Sequence, residues 1–259
     1  LDNIAAIISM TIDEHLFITG NELLKSIREK YPVLLERFGQ LSDLGLRNAI
    51  AYYLSHKFSF NKNIISATGK ELSMKDVFVD FAESRDNFTL DELNILKEEL
   101  NTTVNFDAVY ENSLRINQSD FVSKNRAEFD VNETDKAIAR FCSGDYIPLS
   151  GITGFGSFPY AGFTWNIFLL EQYVAKYSIN FRLLNKGFNV ERPAGAIVRK
   201  DSPIEKFDDL IIDALAKSSM SVINKDSALQ YLYDVGFIAT KRYEIADRII
   251  SCSKAKRGK

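Results

Sequence analysis

Leu16-Phe17-Ile18-Thr19-Gly20-Asn21-Glu22 places three apolar residues, a threonine and, three positions on, a glutamate in a row. The tripeptide is apolar and short, which suits a single strand of a small sheet. Thr19 can accept the backbone N–H of Glu22 while the Glu22 carboxylate returns to the N–H of Thr19, a capping box that starts a helix. The spacing predicts a helix over Asn21–Lys30 that stops before Pro32. The same device recurs at Asn87-Phe88-Thr89, with Glu92 three residues after Thr89 and a helix expected over Asp91–Leu100.

Working outward from these two anchors, one order of elements repeats. In the first copy a helix over Asn3–Thr11, or slightly longer, precedes the tripeptide. Ser42 and Asp43 open a third helix, whose Leu46, Ala49, Ile50, Tyr53 and Leu54 fall on one face. Lys57–Phe60, the turn Asn61-Lys62-Asn63 and Ile64–Ser66 then read as a β-hairpin. In the second copy the helices are Ser73–Glu83, Asp91–Leu100 and a third carrying Phe106, Val109, Tyr110, Ser113 and Leu114. Its hairpin is expected from Phe121–Ser123, the turn Lys124-Asn125-Arg126 and Ala127–Phe129.

The third copy is looser. It has a helix Glu133–Phe141 ended by Gly144, a strand Tyr146–Leu149, a second helix interrupted by Gly151, Gly154, Gly156 and Pro159, and a third helix Trp165–Tyr177 capped by Thr164. That third helix is apolar on two sides and is expected to be the most buried. Its hairpin spans Asn180–Leu184 and Ala194–Arg199. A partial fourth copy follows: a helix Ile204–Lys217, a strand Val222-Ile223, a helix Lys225–Val235 ended by Gly236, a strand Phe237–Tyr243, a helix Glu244–Cys252 and a frayed basic tail Lys254–Lys259. The expected fold class is mainly α with short β-hairpins, in modules 1–69, 70–131, 132–202 and 203–259.

Three helices, a short strand before the second and a hairpin after the third resemble the winged-helix form of helix-turn-helix. The resemblance is carried by Leu16–Ser66, Asn87–Phe129 and Tyr146–Arg199, with an echo over Val222–Tyr243, and includes no diagnostic motif. It implies a tandem array of winged-helix modules. In that superfamily the third helix often enters the major groove while the wing touches the backbone. Other members bind proteins or serve as spacers, so fold alone does not assign a role.

Charge is unevenly distributed. The whole chain carries a net −3, but residues 1–69 are neutral, and residues 70–131 hold fourteen acidic against seven basic side chains. Residues 132–202 and 203–259 each carry +2. The acidic module, with Asp107 and Glu111 on its third helix, is unsuited to a phosphate backbone and reads as a spacer or protein-binding unit. Candidate nucleic-acid-binding residues are Arg182, Lys186, Arg192, Arg199 and Lys200 on the third wing, and Lys241 and Arg242 on the last strand of the fourth copy. Arg47 and Asn48 on the first module's third helix join them, since Arg and Asn can read guanine and adenine edges. These cations are also what edge strands carry to discourage aggregation.

Two functions fit. One is a non-enzymatic, regulatory or targeting module that binds double-stranded DNA, expected mainly through its C-terminal half. The other is a protein–protein assembly module that uses the acidic module or the aromatic loop 155–163, with Phe155, Phe158, Tyr160 and Phe163. Because Leu1 is not methionine, the chain is expected to be the C-terminal part of a larger protein. An enzyme is not expected, and neither is a cofactor or metal. The glycine-rich Gly151–Gly156 lacks the Gly-Lys-Ser/Thr ending of a phosphate loop, no GxSxG elbow occurs, and the two histidines, His15 and His56, lack a partner at metal-ligand spacing. A deep pocket holding His15 or His56 beside carboxylates would reopen that question. Cys142 and Cys252 are isolated and expected to be free thiols. No apolar run is long enough to span a membrane, and the expected location is cytoplasmic.

Overall fold

The computed structural model describes all residues except 34–40, 186–190, 243–246 and 259. It is mixed α/β, about half helical, with three small three-stranded sheets. The chain forms two compact units, Leu1–Ser113 with Phe121–Ser123, and Leu114–Asp120 with Lys124–Lys259.

The first unit opens with α1 (Asp2–Glu14), β1 (Phe17–Thr19), α2 (Gly20–Lys30), α3 (Asp43–Leu54), β2 (Phe58–Asn61) and β3 (Ile64–Ala67). Thr19 caps α2 with the full capping box, and the Ser42 side chain accepts from Gly45 at the start of α3. The sheet order is β1-β3-β2. Phe17 lies opposite Ser66 and Thr19 opposite Ile64, while Phe58 faces Ala67 and Asn61 faces Ile64. Lys62 takes a left-handed φ of 54° to close the turn. Ile8, Leu23, Leu24, Ile27, Ile50 and Ile65 form the core between the helices and this sheet.

The second set repeats the order: α4 (Met74–Glu83), β4 (Asn87–Thr89), α5 (Leu90–Leu100), α6 (Phe106–Asn112), β5 (Ser113–Arg115) and β6 (Asp120–Ser123). Thr89 and Glu92 close the expected capping box. The core is aromatic, with Phe81 edge-on to Phe88, and Phe88 and Tyr110 both stacked on Phe121. The expected hairpin is displaced by one strand. Phe121–Ser123 is its second strand rather than its first, Lys124–Arg126 is a 3₁₀ turn, and Ala127–Phe129 is no strand. Leu114, expected on the helix, lies on β5. The cause is local. Asn117 Oδ1 accepts the N–H groups of Ser119 and Asp120, an Asx turn that competes with any continuation of the helix.

In the second unit the elements are α7 (Val131–Phe141), β7 (Tyr146–Pro148), α8 (Ile167–Lys176), β8 (Phe181–Leu184), β9 (Ala196–Arg199), α9 (Phe207–Lys217), α10 (Lys225–Val235) and α11 (Asp247–Arg257). The sheet order is β7-β9-β8, with Tyr146 opposite Val198 and Phe181 opposite Arg199. One core surrounds Trp165, Leu169, Leu170, Tyr173 and Phe181, and another joins Val198, Leu210, Ile211, Leu215 and Leu232. Helix α8 buries six consecutive residues, Leu169–Val174: its apolar sides as expected, and the polar Glu171 and Gln172 between them.

Several expected boundaries move in this unit. Asn166, not Thr164, caps α8, accepting from Phe168 and Leu169. Helix α7 ends at Phe141 with Cys142 as its cap, before Gly144. A 3₁₀ turn at Leu149–Gly151 occupies the place of a second helix. Val222-Ile223 and the described part of the expected last strand, 237–242, are not strands. Gly236 takes φ 92° and the N–H groups of Phe237 and Ile238 bond back to Leu232, which folds the segment onto α10. The tail is not frayed through Arg257: its guanidinium donates to the carbonyls of Leu215, Ala216, Ser218 and Met220 at the end of α9. Cys142 and Cys252 are free thiols, the first buried.

Candidate nucleic-acid interface

The third helix and hairpin of the first unit make a groove of 470 Å³. Its lining includes Leu44, Arg47, Asn48 and Ala51 from α3, Lys62 and Asn63 from the β2–β3 turn, and Glu99 from α5. Arg47 donates to the Asn63 side-chain oxygen, and Asn63 Nδ2 donates to the Glu99 carbonyl at 3.2 Å. Gly20 makes this approach possible: a Cβ there would come within 2.6 Å of Arg47 Cδ. Asn48 is exposed beside Arg47. Leu44 is 60% exposed, Tyr52 79% and Tyr53 56%, so α3 offers aromatic and apolar surface together with its polar groups.

The C-terminal cations are placed differently. Arg182 donates to the carbonyls of Lys200, Ser202 and Ile204. Arg192 donates to Tyr233 O at 2.6 Å and lies 3.9 Å over the Tyr233 ring. Arg199 binds Gly144 O and Cys142 O, and Lys200 binds Ser178 O at 2.9 Å. Lys241 donates to Gln230 Oε1 at 2.6 Å. Arg242 is exposed. Lys186 falls outside the described residues. Arg182, Arg192, Arg199 and Lys200 therefore stitch loops and helix ends together, where carbonyls without helical partners need donors. A sequence reports their charge and is silent on where their N–H groups point.

In the aromatic loop the side chains divide between core and surface. Phe158 is buried against Trp165, whose Nε1 donates to Pro159 O at 2.6 Å, while Tyr160 is 80% exposed.

A second cavity of the first unit, 320 Å³, holds His15 beside carboxylates. Its walls bring together His15 at the end of α1, Glu22, Ser26 and Glu29 of α2, and Asp80 and Phe81 of α4. Asp80 Oδ1 accepts the Leu16 N–H at 3.0 Å. Burial raises the Asp80 carboxyl above its ordinary range, against the opposing pull of that N–H and of His15. His15 Nδ1 is buried and makes no hydrogen bond. A Ser–His–Asp relay needs a bond between imidazole and carboxylate, and none joins His15 to Asp80. Among the described residues no group of three or more His, Cys, Asp or Glu could hold a metal ion, and no helix is long and apolar enough to cross a membrane.

Sequence reasoning missed the buried carboxylates of the second unit, Asp135, Glu171 and Asp213. Asp135 accepts from Tyr173 Oη, Ser178 Oγ and the N–H groups of Ile179 and Asn180. Asp213 accepts from Tyr146 Oη, Lys217 and Lys256. Apart from Lys217, four residues after Asp213 on the same helix, the partners of Asp135 and Asp213 lie tens of residues away, so no local pattern marks the networks. Comparison with family models, curated proteins and solved structures finds no match for this chain.

Proposed function

We propose that this chain is a non-enzymatic module of tandem winged helices that binds duplex DNA through the third helix and wing of its first module. The observation that carries this reading is the α3–hairpin groove, where Arg47, Asn48 and Lys62 share one open surface. Helix–strand–helix–helix–hairpin order, with the first strand paired to the last, supports the winged-helix comparison. Among the C-terminal cations expected to lead the contact, Arg182, Arg192, Arg199 and Lys200 each donate to the protein's own carbonyls, which shifts the expected surface to the first module.

Fluorescence anisotropy with a labelled duplex tests the reading. Binding is expected to weaken steeply with salt. Arg47→Ala with Lys62→Ala should cost about 1–3 kcal/mol. Glu99→Gln should tighten binding by removing a negative charge from the groove. Absence of binding at low salt, or a loss confined to charge reversal at Lys200, Lys241 and Arg242, would overturn it.

A second reading, protein–protein assembly, is favoured by one feature: Leu44, Tyr52 and Tyr53 are exposed on the same helix, and exposed aromatic surface is typical of partner contacts. On this reading Tyr52→Ala would abolish capture of such a partner, and the parent chain would show no salt-dependent duplex binding.

A further inference from the structure

The His15 cavity belongs neither to the α3 groove nor to the C-terminal cations. At 320 Å³ it lies at the lower end of the range of small-molecule sites. Phe17, Ile18, Phe81 and Leu96 give it apolar walls. Against them stand two polar groups with unused capacity. Asp80 commits one oxygen, Oδ1, to the Leu16 N–H. His15 Nδ1 is buried without a partner. Buried polar atoms are almost always paired, so an orphan on a cavity wall asks for an explanation.

The two cations on the walls do not answer it. The Arg85 guanidinium donates to Phe81 O and Ser84 Oγ and lies 3.9 Å over the Phe81 ring. Lys25 is exposed. Of the carboxylates on the lining, Glu22 closes the Thr19 cap and Glu29 is exposed, which leaves Asp80 as the half-buried negative group of the cavity. Phe81, whose ring already carries Arg85 on one face, shows that this wall accepts a cation.

We infer that this cavity is a binding site for a small ligand bearing a protonated amine or guanidinium group. Its N–H donors would meet the free oxygen of Asp80 and the Nδ1 of His15, and its alkyl portion would lie along the apolar wall. A group with two or more N–H donors satisfies both acceptors at once, whereas an alcohol satisfies one and a carboxylate meets like charge.

The test is a titration of the full chain followed by amide and imidazole NMR. The probes are agmatine, 1-pentanol and sodium pentanoate. Agmatine is expected to shift the Leu16 amide and the His15 ring saturably, and the other two to leave them unmoved. Asp80→Asn retains an acceptor for the Leu16 N–H and should weaken agmatine binding by about tenfold or more. Ser26→Trp, which fills the cavity from α2 and leaves Asp80 untouched, should block it as well. The inference is overturned if agmatine gives no saturable shift up to about 10 mM. It is likewise overturned if sodium chloride at matched ionic strength produces the same shifts, or if both variants bind agmatine as the parent does.

Discussion

Asp213 shows how much a single side chain can hold. It is 4% exposed, yet it accepts from Tyr146 Oη at 2.8 Å, Lys217 at 2.7 Å and Lys256 at 2.8 Å. Burial alone would raise its carboxyl, but the hydrogen bonds from Lys217, Lys256 and Tyr146 outweigh it and hold the group below its ordinary range. The Tyr146 hydroxyl is pushed up, by its own burial first and by Asp213 second. Asp213→Asn is expected to lower stability by about 1–3 kcal/mol at neutral pH, read by urea unfolding. A carboxylate held lower in the folded chain stabilises it above the unfolded value of about 4 and loses that contribution as pH falls through the folded value. The gap between parent and variant should therefore be full above about pH 5 and shrink below it. Asp80 has the opposite sign. Its carboxyl is raised, so its charge opposes folding at neutral pH. Asp80→Asn should be as stable as the parent at pH 7 or more so, by about 0–1 kcal/mol, and a marked loss in the same urea assay would contradict this.

At the scale of elements, the caps were legible and the ends were not. Thr19/Glu22 and Thr89/Glu92 act within four residues of one another, so the string alone displays them. Thr89→Ala should cost about 0.5–2 kcal/mol by thermal or chemical unfolding. The hairpin after α6 is displaced because the periodicity of Val109, Tyr110 and Leu114 runs past the end of the helix at Asn112 into β5, ahead of the turn at Asn117. An apolar residue that suits a helix face also suits a strand face, and the turn breaks the tie. Gly236 is the clearest constraint. Its positive φ and the proximity of Ser150 leave no room for a side chain, so Gly236→Ala should destabilise the second unit by more than about 1 kcal/mol.

For the whole molecule, the two compact units invite a test of cooperativity. Trp165 is the single tryptophan and lies in the core of the second unit. Its fluorescence should report that unit, while circular dichroism reports both. Asp213→Asn is expected to shift the fluorescence transition and Thr19→Ala only the dichroism. Coincident shifts in both signals would show that the chain melts as one block.

What the sequence determined by itself was the order of helices, short strand and hairpin in the first copy, the first two helices of the second, the aromatic core, the acidic centre and the capped starts of α2 and α5. Each is written in neighbouring residues, through spacing, composition and turn chemistry. Tertiary structure alone decided which charges remain available. Arg182, Arg192, Arg199 and Arg257 look like surface cations in a string, yet each donates to carbonyls in loops or at helix ends brought near by folding. The same step placed His15 beside Asp80, 65 positions away, and Arg47 against Asn63. Charge is a property of a residue, but a free donor, an orphaned acceptor and a groove are properties of what the chain brings next to it.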